Sequence, residues 1–229
     1  MVADRRREEE YSNNQEEKIM AKYTGPSCKL CRREGMPLML KGQRCLTDKC
    51  AIKKKKYPPG QIKKNRRSKF SEYAIQLREK QKIKRSYGLM ERQFRIVFEK
   101  SSRMRGVTGE NMLSILERRL DNVVYRMGFA SSRMQARQIV NHRHILVNGE
   151  IVDISSYIVN EGSTIEIKTK FKENVMLKDS IKLSKATSSV PEWIAVEFDE
   201  AKGKVLRLPT RKDITDNFNE RLVVELYSK

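Results

Sequence analysis

The sequence has no long hydrophobic run, and no stretch approaches the roughly 18 apolar residues that a membrane-spanning helix needs. Residues 1–19 lack the apolar segment of a secretory signal, and their six acidic side chains do not suit a mitochondrial transit peptide. Internal repeats are missing, and Pro and Gly, at 6 and 11 of 229 residues, are not enriched. These absences predict a soluble protein inside the cell, with no membrane partner.

Signatures of catalysis are also scarce. The chain has two histidines, His142 and His144, and no nearby Asp, Glu or Cys forms a convincing acid–base or metal pair with them. A phosphate-binding Gly-rich loop and a nucleophile elbow are both absent. We interpret the histidines as structural or RNA-contacting residues and predict that the protein is not an enzyme.

Positive charge is abundant and unevenly distributed. The chain carries 49 Lys and Arg against 29 Asp and Glu, a net charge of +20, while 38% hydrophobic residues suffice for a small core. Residues 20–67 hold 15 basic and 2 acidic side chains, and residues 68–116 hold 11 and 5. A general solubility surface would spread its charge, so this asymmetry predicts a localised binding region for a polyanion.

The densest basic run favours nucleic acid over a membrane surface. Four consecutive lysines at 53–56 lead directly into YPPG at 57–60. Prolines do not fit inside a helix, so this run does not form the amphipathic helix by which a basic segment binds a membrane.

Helix signals fill the region after this run. Apolar residues at helical spacing, with Ser caps before them and Gly after them, predict successive helices. The predicted helices run from Ser71 to Tyr87, from near Leu89, from Thr108 to Gly128 without a break, and onward from a cap at Ser131 or Ser132.

Strand signals follow in the second half of the chain. Apolar residues on both sides of Asn148-Gly149 predict a hairpin, because both turn positions need a positive φ. Further strands are predicted at 157–159, 164–168 and 204–208, whereas 171–189 is polar and weakly patterned. Helices followed by a small group of strands indicate an α+β fold.

The four cysteines lie within 23 residues, as Cys28-x2-Cys31 and Cys45-x4-Cys50. Two disulfides would suit a secreted protein, but thiols inside the cell are kept reduced. Four thiolates form a suitable tetrahedral shell for Zn²⁺, and an iron–sulfur cluster is the minor alternative. A catalytic nucleobase-deaminase zinc would need an upstream His-x-Glu, and no histidine precedes position 142. The spacing predicts a structural zinc site.

Several motifs together resemble a known family. The chain is similar to the bacterial-type small-subunit ribosomal protein S-four family from residue 20 to its end. The motifs that carry the resemblance are the cysteine set, YTGP at 23–26, YPPGQ at 57–61, LREKQK at 77–82, ERQFR at 91–95, GVTGEN at 106–111, LERRLDNVVYR at 116–126, FASSR at 129–133, PEW at 191–193, LRLPTR at 206–211 and VELYSK at 224–229.

The resemblance implies a domain organisation. We expect an α+β protein with a mainly helical first domain, an N-terminal four-cysteine knuckle and an inserted small α/β RNA-binding module. The expected segments are a disordered extension at 1–19, the helical rRNA-binding domain with the knuckle at 20–109, an inserted domain at 110–189 containing the module at about 117–170, and a C-terminal segment at 190–229 that packs back on the first domain. The extension is either a lineage-specific tail or the result of an upstream start codon.

The resemblance also implies a function. Such proteins are structural constituents of the small ribosomal subunit, bind its rRNA at a junction in the 5′ domain and help to initiate assembly on cytoplasmic ribosomes. They contribute to decoding accuracy, neighbour ribosomal proteins S-five and S-three beside the path by which mRNA enters, and in some cases bind the mRNA of their own operon. A stand-alone translational regulator that binds RNA is the alternative, and an RNA-modifying enzyme with the same module is a further one.

Sixteen basic residues are predicted to bind RNA phosphates, in three groups. The first group, an electrostatic arm, consists of Lys53, Lys54, Lys55, Lys56, Lys63, Lys64, Arg66 and Arg67. The second is Arg78, Lys82, Lys84 and Arg85 on a helix, and the third is Arg118, Arg133, Arg137 and Arg143 on the module.

Two of these expectations carry a qualification, and one further departure from the family concerns Ile62. Arg118 has an alternative partner in Asp121 at i, i+3 on the predicted helix. Arg143 stands where the family usually has Gly, so it is expected either to be slightly strained or to be aimed at phosphate. Ile62 stands where the family often has His, which puts a polar contact there in doubt.

Overall fold

The computed structural model describes residues 23–55, 57–60, 70–187 and 190–228. Within these ranges the chain forms helices followed by an antiparallel sheet, with further helices around it. The α-helices are α1 (Ser27–Glu34), α2 (Ala51–Lys54), α3 (Glu72–Ser86), α4 (Glu91–Ser102), α5 (Thr108–Glu117), α6 (Leu120–Arg126), α7 (Arg133–Asn141), α8 (Thr169–Lys172), α9 (Val175–Thr187) and α10 (Glu220–Tyr227). The strands are β1 (Ile145–Val147), β2 (Glu150–Ile151), β3 (Thr164–Ile167), β4 (Ile194–Glu197) and β5 (Lys202–Val205), and 3₁₀ turns cover Gly42–Cys45 and Arg211–Asp213.

The first hydrophobic core is helical. Helices α4 and α5 each bury an apolar stripe, α3 contributes Ile83, and α10 from the end of the chain packs against α3 and α5. Phe94, Leu113 and Val223 are fully buried at its centre. The predicted cap at Ser71 is confirmed, since its hydroxyl accepts a hydrogen bond from the Ala74 amide at 3.2 Å. The caps therefore identified α3, and the periodicity of apolar residues identified α4 and the position of α5.

The second core lies between the sheet and helices α6, α7 and α9. The sheet has the order β2-β1-β3-β5-β4, and every neighbouring pair is antiparallel. The predicted hairpin is confirmed: β1 and β2 are joined by Asn148 and Gly149, at φ of 53° and 87°. Two positive values are those of a type I′ turn, whose twist matches the twist of the strands.

The predicted continuous helix from Thr108 to Gly128 is wrong, because it is broken into α5 and α6. Arg119 is extended, at φ −63° and ψ 136°, and forms an isolated antiparallel bridge with Ile158. The Leu120 amide donates to the Tyr157 carbonyl at 2.8 Å rather than to a helical partner. A long-range backbone contact thus overrides a local pattern that favoured one helix.

The weakly patterned stretch at 171–189 contains helix α9, which the sequence analysis did not identify. Its buried residues are Leu177, Ser180 and Ser184. Two of the three inward positions are serine, so the helix lacks the strong apolar stripe by which amphipathic helices are recognised. The serines permit close approach to Gly128, whose carbonyl accepts from Ser184 Oγ at 3.4 Å.

The C-terminal residues divide between the two cores. Strands β4 and β5 pair with each other, and β5 also pairs with β3, so they complete the sheet. Helix α10 instead packs in the helical core. Among the described residues, no helix is long and apolar enough to cross a membrane.

Two glycines with positive φ separate the effect of steric contact from that of backbone strain. Gly128 (φ +79°) would place an added Cβ 2.2 Å from Ser184 Oγ, whereas Gly149 (φ +87°) has open space there. Gly149→Ala should therefore cost about 1 kcal/mol, from strain alone. Gly128→Ala should cost about 2–5 kcal/mol, because overpacking adds to the strain.

Urea unfolding followed by the fluorescence of the buried Trp193 measures both free energies of unfolding. Equal destabilisation by the two substitutions would show that α9 does not pack closely on Gly128.

Candidate nucleic-acid interface

The described part of the electrostatic arm is exposed. Lys53, Lys54 and Lys55 close helix α2 and point their charge to solvent. Lys53 forms an ion pair with Asp48 at 3.1 Å, whereas Lys54 and Lys55 form no ion pair with any described residue. Lys56, Lys63, Lys64, Arg66 and Arg67, like Ile62, lie outside the described residues.

The loop after the lysines is held by two arginines of α1 that the sequence analysis did not single out. Arg32 Nε donates to the Tyr57 carbonyl at 3.0 Å, and its guanidinium lies 4.8 Å from the centre of the Tyr57 ring. Arg33 Nη2 donates to the Pro59 carbonyl at 3.1 Å. These bonds fix the turn at 57–60 beside α1.

A carboxylate from α1 joins the cysteine segment to α3. Glu34 is fully buried at its side chain, and its Oε1 accepts from Arg78 at 3.3 Å and from Arg85. Burial raises the pKa of the Glu34 carboxyl, although both arginines act in the opposite direction. Its Oε2 has no hydrogen-bond partner among the described residues. Arg78 and Arg85, both predicted RNA-binding residues, thus hold the first segment of the chain on the helical core.

The other two predicted residues of this helix are also ion-paired. Lys82 Nζ lies 2.5 Å from Glu79, and Lys84 Nζ lies 2.7 Å from Glu91. Burial opposes the ionisation of Glu91, but hydrogen bonds from Lys80 and Lys84 outweigh it and lower the pKa of this carboxyl to about 2. The helix therefore presents a partly neutralised basic face.

The two hydrophobic cores meet at a second buried carboxylate, Glu117, the last residue of α5. Its Oε1 accepts from Tyr87 Oη at 2.6 Å and from Arg126 Nη2 at 2.8 Å. Its Oε2 accepts from Asn122 Nδ2 at 2.7 Å and from Arg126 Nε at 3.0 Å. Tyr87 belongs to the helical core, while Asn122 and Arg126 lie on α6 of the sheet core. One carboxylate thereby links the two halves.

Arg133 extends this network, although it was predicted to bind RNA. Its Nε donates to Asn122 Oδ1 at 2.7 Å, and its guanidinium lies 4.8 Å from the rings of both Tyr87 and Tyr125. The side chain is only 10% exposed, and its Nη2 lies 3.6 Å from Asp216 Oδ2. Arg133 therefore faces other protein groups rather than solvent.

Arg137 is engaged in the same way. Its Nε and Nη2 donate to Asp121 Oδ2 at 3.1 and 2.8 Å, and its Nη1 donates to the Gly88 carbonyl at 2.9 Å. Asp121 also accepts two hydrogen bonds from Arg119. Arg137 therefore connects the end of α3 to the module, and its guanidinium is ion-paired with the buried Asp121.

The remaining two module arginines, Arg118 and Arg143, differ in how far they are exposed to solvent. Arg118 does not pair with Asp121, because its Nε donates to the Val159 carbonyl and its Nη2 to Asn160 Oδ1, at 3.0 and 2.6 Å. Arg143 is the most accessible, with 70% of its side chain exposed and an ion pair with Asp153 at 2.9 Å. Its φ of 62° confirms the left-handed conformation that a glycine would favour.

The cysteines lie in one segment, at 28–50. Cys31 and Cys50 are buried, Cys28 and Cys45 are half-buried, and none forms a disulfide. Burial raises the pKa of the Cys31 thiol, and the nearby Cys45, Cys28 and Cys50 raise it further. The donor set suits zinc, yet no three potential ligands in the described ranges are arranged as a metal-binding group. The predicted four-cysteine knuckle is therefore not confirmed.

The positions of the predicted residues have a consequence for recognition. Exposed cations lie at the end of α2, in the segment that Glu34 holds on the helical core, and at Arg143 beside the sheet core, whereas Arg133 and Arg137 tie the two cores together. A rigid protein that presents cations at separated positions can match the spacing of phosphates on a folded RNA. The residues that impose this rigidity, Glu34 and Glu117, are acids. The sequence analysis selected basic residues as RNA contacts, so it did not identify them.

Comparison with known proteins identifies similar sequences. Residues 22–117 match the ribosomal protein S4/S9 N-terminal domain, and residues 118–165 match the S4 domain. The two matches meet at the break between α5 and α6. Relatives named small ribosomal subunit protein uS4 occur in Pelobacter propionicus at 56% identity, and in Thermodesulfovibrio yellowstonii and Caldicellulosiruptor saccharolyticus at 55%. Each alignment spans 210 residues, which is 92% of this chain and 100% of the relative. The resemblance inferred from the motifs is confirmed, and the relatives are ribosomal proteins, not enzymes.

Glu117 gives a stability test with a defined pH dependence. Burial opposes its ionisation, but Arg126, Arg133 and Tyr87 lower the pKa of the folded carboxyl to about 2, against about 4.3 for an unfolded Glu. Its stabilisation is thus complete above pH of about 4.3 and is lost as the pH falls to about 2. At neutral pH, Glu117→Gln should destabilise the protein by about 3–5 kcal/mol, because the largely buried Arg126 loses its bidentate partner and keeps only Asp216, at 3.4 Å, as a counter-charge.

The control is Glu110→Gln on the same helix, where the side chain is exposed. Urea unfolding at several pH values should show that the difference in stability between wild type and Glu117→Gln shrinks below a pH of about 4.3, by about 1.4 kcal/mol for each further drop of one in pH. Parallel pH profiles would contradict the charged network.

Proposed function

The chain belongs to the small ribosomal subunit protein uS4 family, and from this membership we propose that it is a structural constituent of the small subunit of the cytoplasmic ribosome. In this role it binds small-subunit rRNA directly. The single observation that supports the proposal best is the full-length match: each relative aligns over 100% of its length at 53–56% identity. The stand-alone regulator and the RNA-modifying enzyme lack a comparable observation in their favour.

The charge distribution supports a mechanism of binding. Exposed lysines at the end of α2 supply phosphate contacts, which set affinity and register without reading sequence. Specificity then comes from the shape of the RNA, because the major groove of A-form RNA is too narrow for side chains to read. The Glu117 network serves this mechanism by holding the two cores, and their separate cations, at a constant spacing.

Finer aspects of the proposal follow from the family. The binding site is a junction in the 5′ domain, and early binding there helps to initiate subunit assembly. In the subunit the protein neighbours ribosomal proteins S-five and S-three beside the path of entering mRNA, and it contributes to decoding accuracy. Binding to the mRNA of its own operon is a further part of the proposal. The helical rRNA-binding domain at 20–109 and the inserted domain at 110–189 are its two binding units.

We propose that Cys28, Cys31, Cys45 and Cys50 are the ligands of a structural zinc ion, with an iron–sulfur cluster as the minor alternative. Four free thiols in one segment support it, as does the Lys41 amide, which donates to Cys45 Sγ at 3.4 Å. Bound zinc would stabilise the segment that Glu34 holds against α3. No catalytic role is assigned to it.

The salt dependence of rRNA binding tests the electrostatic mechanism. Each neutralised phosphate contributes about 0.7–0.9 to the slope of log affinity against log salt. Lys54→Gln with Lys55→Gln should therefore reduce that slope by about 1.4–1.8, measured by filter binding to a 5′-domain fragment of small-subunit rRNA.

The matched control is Lys178→Gln with Lys182→Gln, two exposed lysines on α9 of the sheet core. This pair should leave the slope unchanged. A wild type that binds the RNA with a slope near zero would contradict the electrostatic mechanism, and an equal loss in both double variants would show that the α2 lysines contribute no more than other exposed lysines.

Metal content tests the zinc proposal. The protein purified without added metal should contain about one zinc per chain, and chelation should increase hydrogen exchange at 28–50 but not at 117–170, because metal binding is coupled to local folding. Iron together with visible absorbance would indicate the cluster instead. If no metal is found and Cys50→Ser leaves stability unaltered, the site does not exist.

A further inference from the structure

A groove lies between α1, the turn at 57–60 and the first half of α3. Its volume is about 700 Å³, within the range of ligand-binding clefts. It is lined by Arg32 and Arg33 from α1, Pro58 from the turn, and Phe70, Ile75 and Lys82 from the α3 side. Arg78 and Lys82, both predicted RNA-binding residues, line it, but the sequence predicted no pocket here.

The groove has a net positive charge. Its two acids, Glu34 and Glu79, are each compensated within the protein, Glu34 by Arg78 and Arg85 and Glu79 by Lys82. Arg32 and Arg33, in contrast, donate only to carbonyl oxygens of the turn, and neither forms an ion pair with any described residue. Their positive charges are therefore available to an anion.

An aromatic side chain stands exposed beside these charges. Phe70 is 74% exposed and Ile75 is 46% exposed, although both line the groove. Solvent contact with two apolar side chains is unfavourable, and a ligand with a flat apolar face would remove that area from water. A cationic groove with an exposed aromatic ring is the combination that binds single-stranded nucleic acid, because every base offers a face for stacking.

We propose that this groove receives an unpaired nucleotide of small-subunit rRNA. The base stacks on Phe70, and Arg32 and Arg33 contact the adjacent phosphate. Unpaired nucleotides are the elements of RNA that can leave a helix and stack on aromatic side chains. The inference rests on the proposed rRNA binding and adds a distinct element to it, since stacking depends on apolar contact rather than on released counterions.

The test uses the full-length chain and the same 5′-domain rRNA fragment. Phe70→Ala should weaken binding roughly 5- to 150-fold, the usual effect of removing one stacked base. The slope against salt should stay unchanged, because no phosphate contact is removed. Phe70→Trp should instead keep the affinity close to that of the wild type, since tryptophan also stacks.

Tyr73→Ala is the matched control. Tyr73 is another exposed aromatic, 59% exposed, in the first turn of α3, which Phe70 precedes, but it does not line the groove. Its substitution should leave affinity within about twofold of wild type. An ultraviolet-induced cross-link between Phe70 and an unpaired base, located by mass spectrometry, would support the contact directly.

Three outcomes would overturn the inference. One is that Phe70→Ala binds the RNA as tightly as the wild type, which itself binds with a steep salt slope. The proposed function would then stand, but the groove would not be a nucleotide site, and a peptide could be its occupant instead. Another is a loss of stability of the free Phe70→Ala protein that accounts for the weaker binding, since Phe70 would then serve packing. The last is a wild type that does not bind the RNA, which would remove the proposed function as well.

Discussion

The arrangement of the two hydrophobic cores depends on the hydrogen bonds and the ion pair of the Glu117 carboxylate. This carboxylate is buried where the two cores meet, and donors from both cores converge on it. Removing a carboxylate from water costs several kcal/mol unless its hydrogen bonds are replaced. Here Tyr87, Asn122 and Arg126 replace them. Arg126 also fixes the orientation of the carboxylate, because its Nε and Nη2 must both align with the two oxygens of Glu117. The cores are thus joined by directional bonds as well as by apolar contact.

Acidic residues have a related task throughout the described chain. Glu34, Glu91 and Asp121 each accept from two or more basic side chains. A protein with a net charge of +20 would otherwise repel itself in the folded state. These three acids lie where folding brings cations close together. At the end of α2, in contrast, Lys54 and Lys55 form no ion pair with any described residue, so their charges are available where an RNA partner is proposed to bind.

Much of the fold could be predicted from local sequence. The Ser71 cap, the hairpin at Asn148-Gly149 and the apolar stripes of α4 and α5 depend on neighbours within a few residues, so their signals are present in the sequence itself. The break at Arg119 and helix α9 could not be predicted. The break depends on a bridge to Ile158, 39 positions later, and α9 buries two serines beside Leu177, so it lacks the full apolar stripe that marks an amphipathic helix.

The sequence by itself determined the family, the basic character of residues 20–116 and the class of partner, because motifs and net charge do not depend on which residues meet in space. Only the tertiary structure decided which cations are free to act on that partner. Arg133 and Arg143 carry the same group and belong to the same module, yet one is sandwiched between Tyr87 and Tyr125 while the other is exposed. The physical reason is that the availability of a charge depends on burial and on its neighbours, and long-range packing sets both.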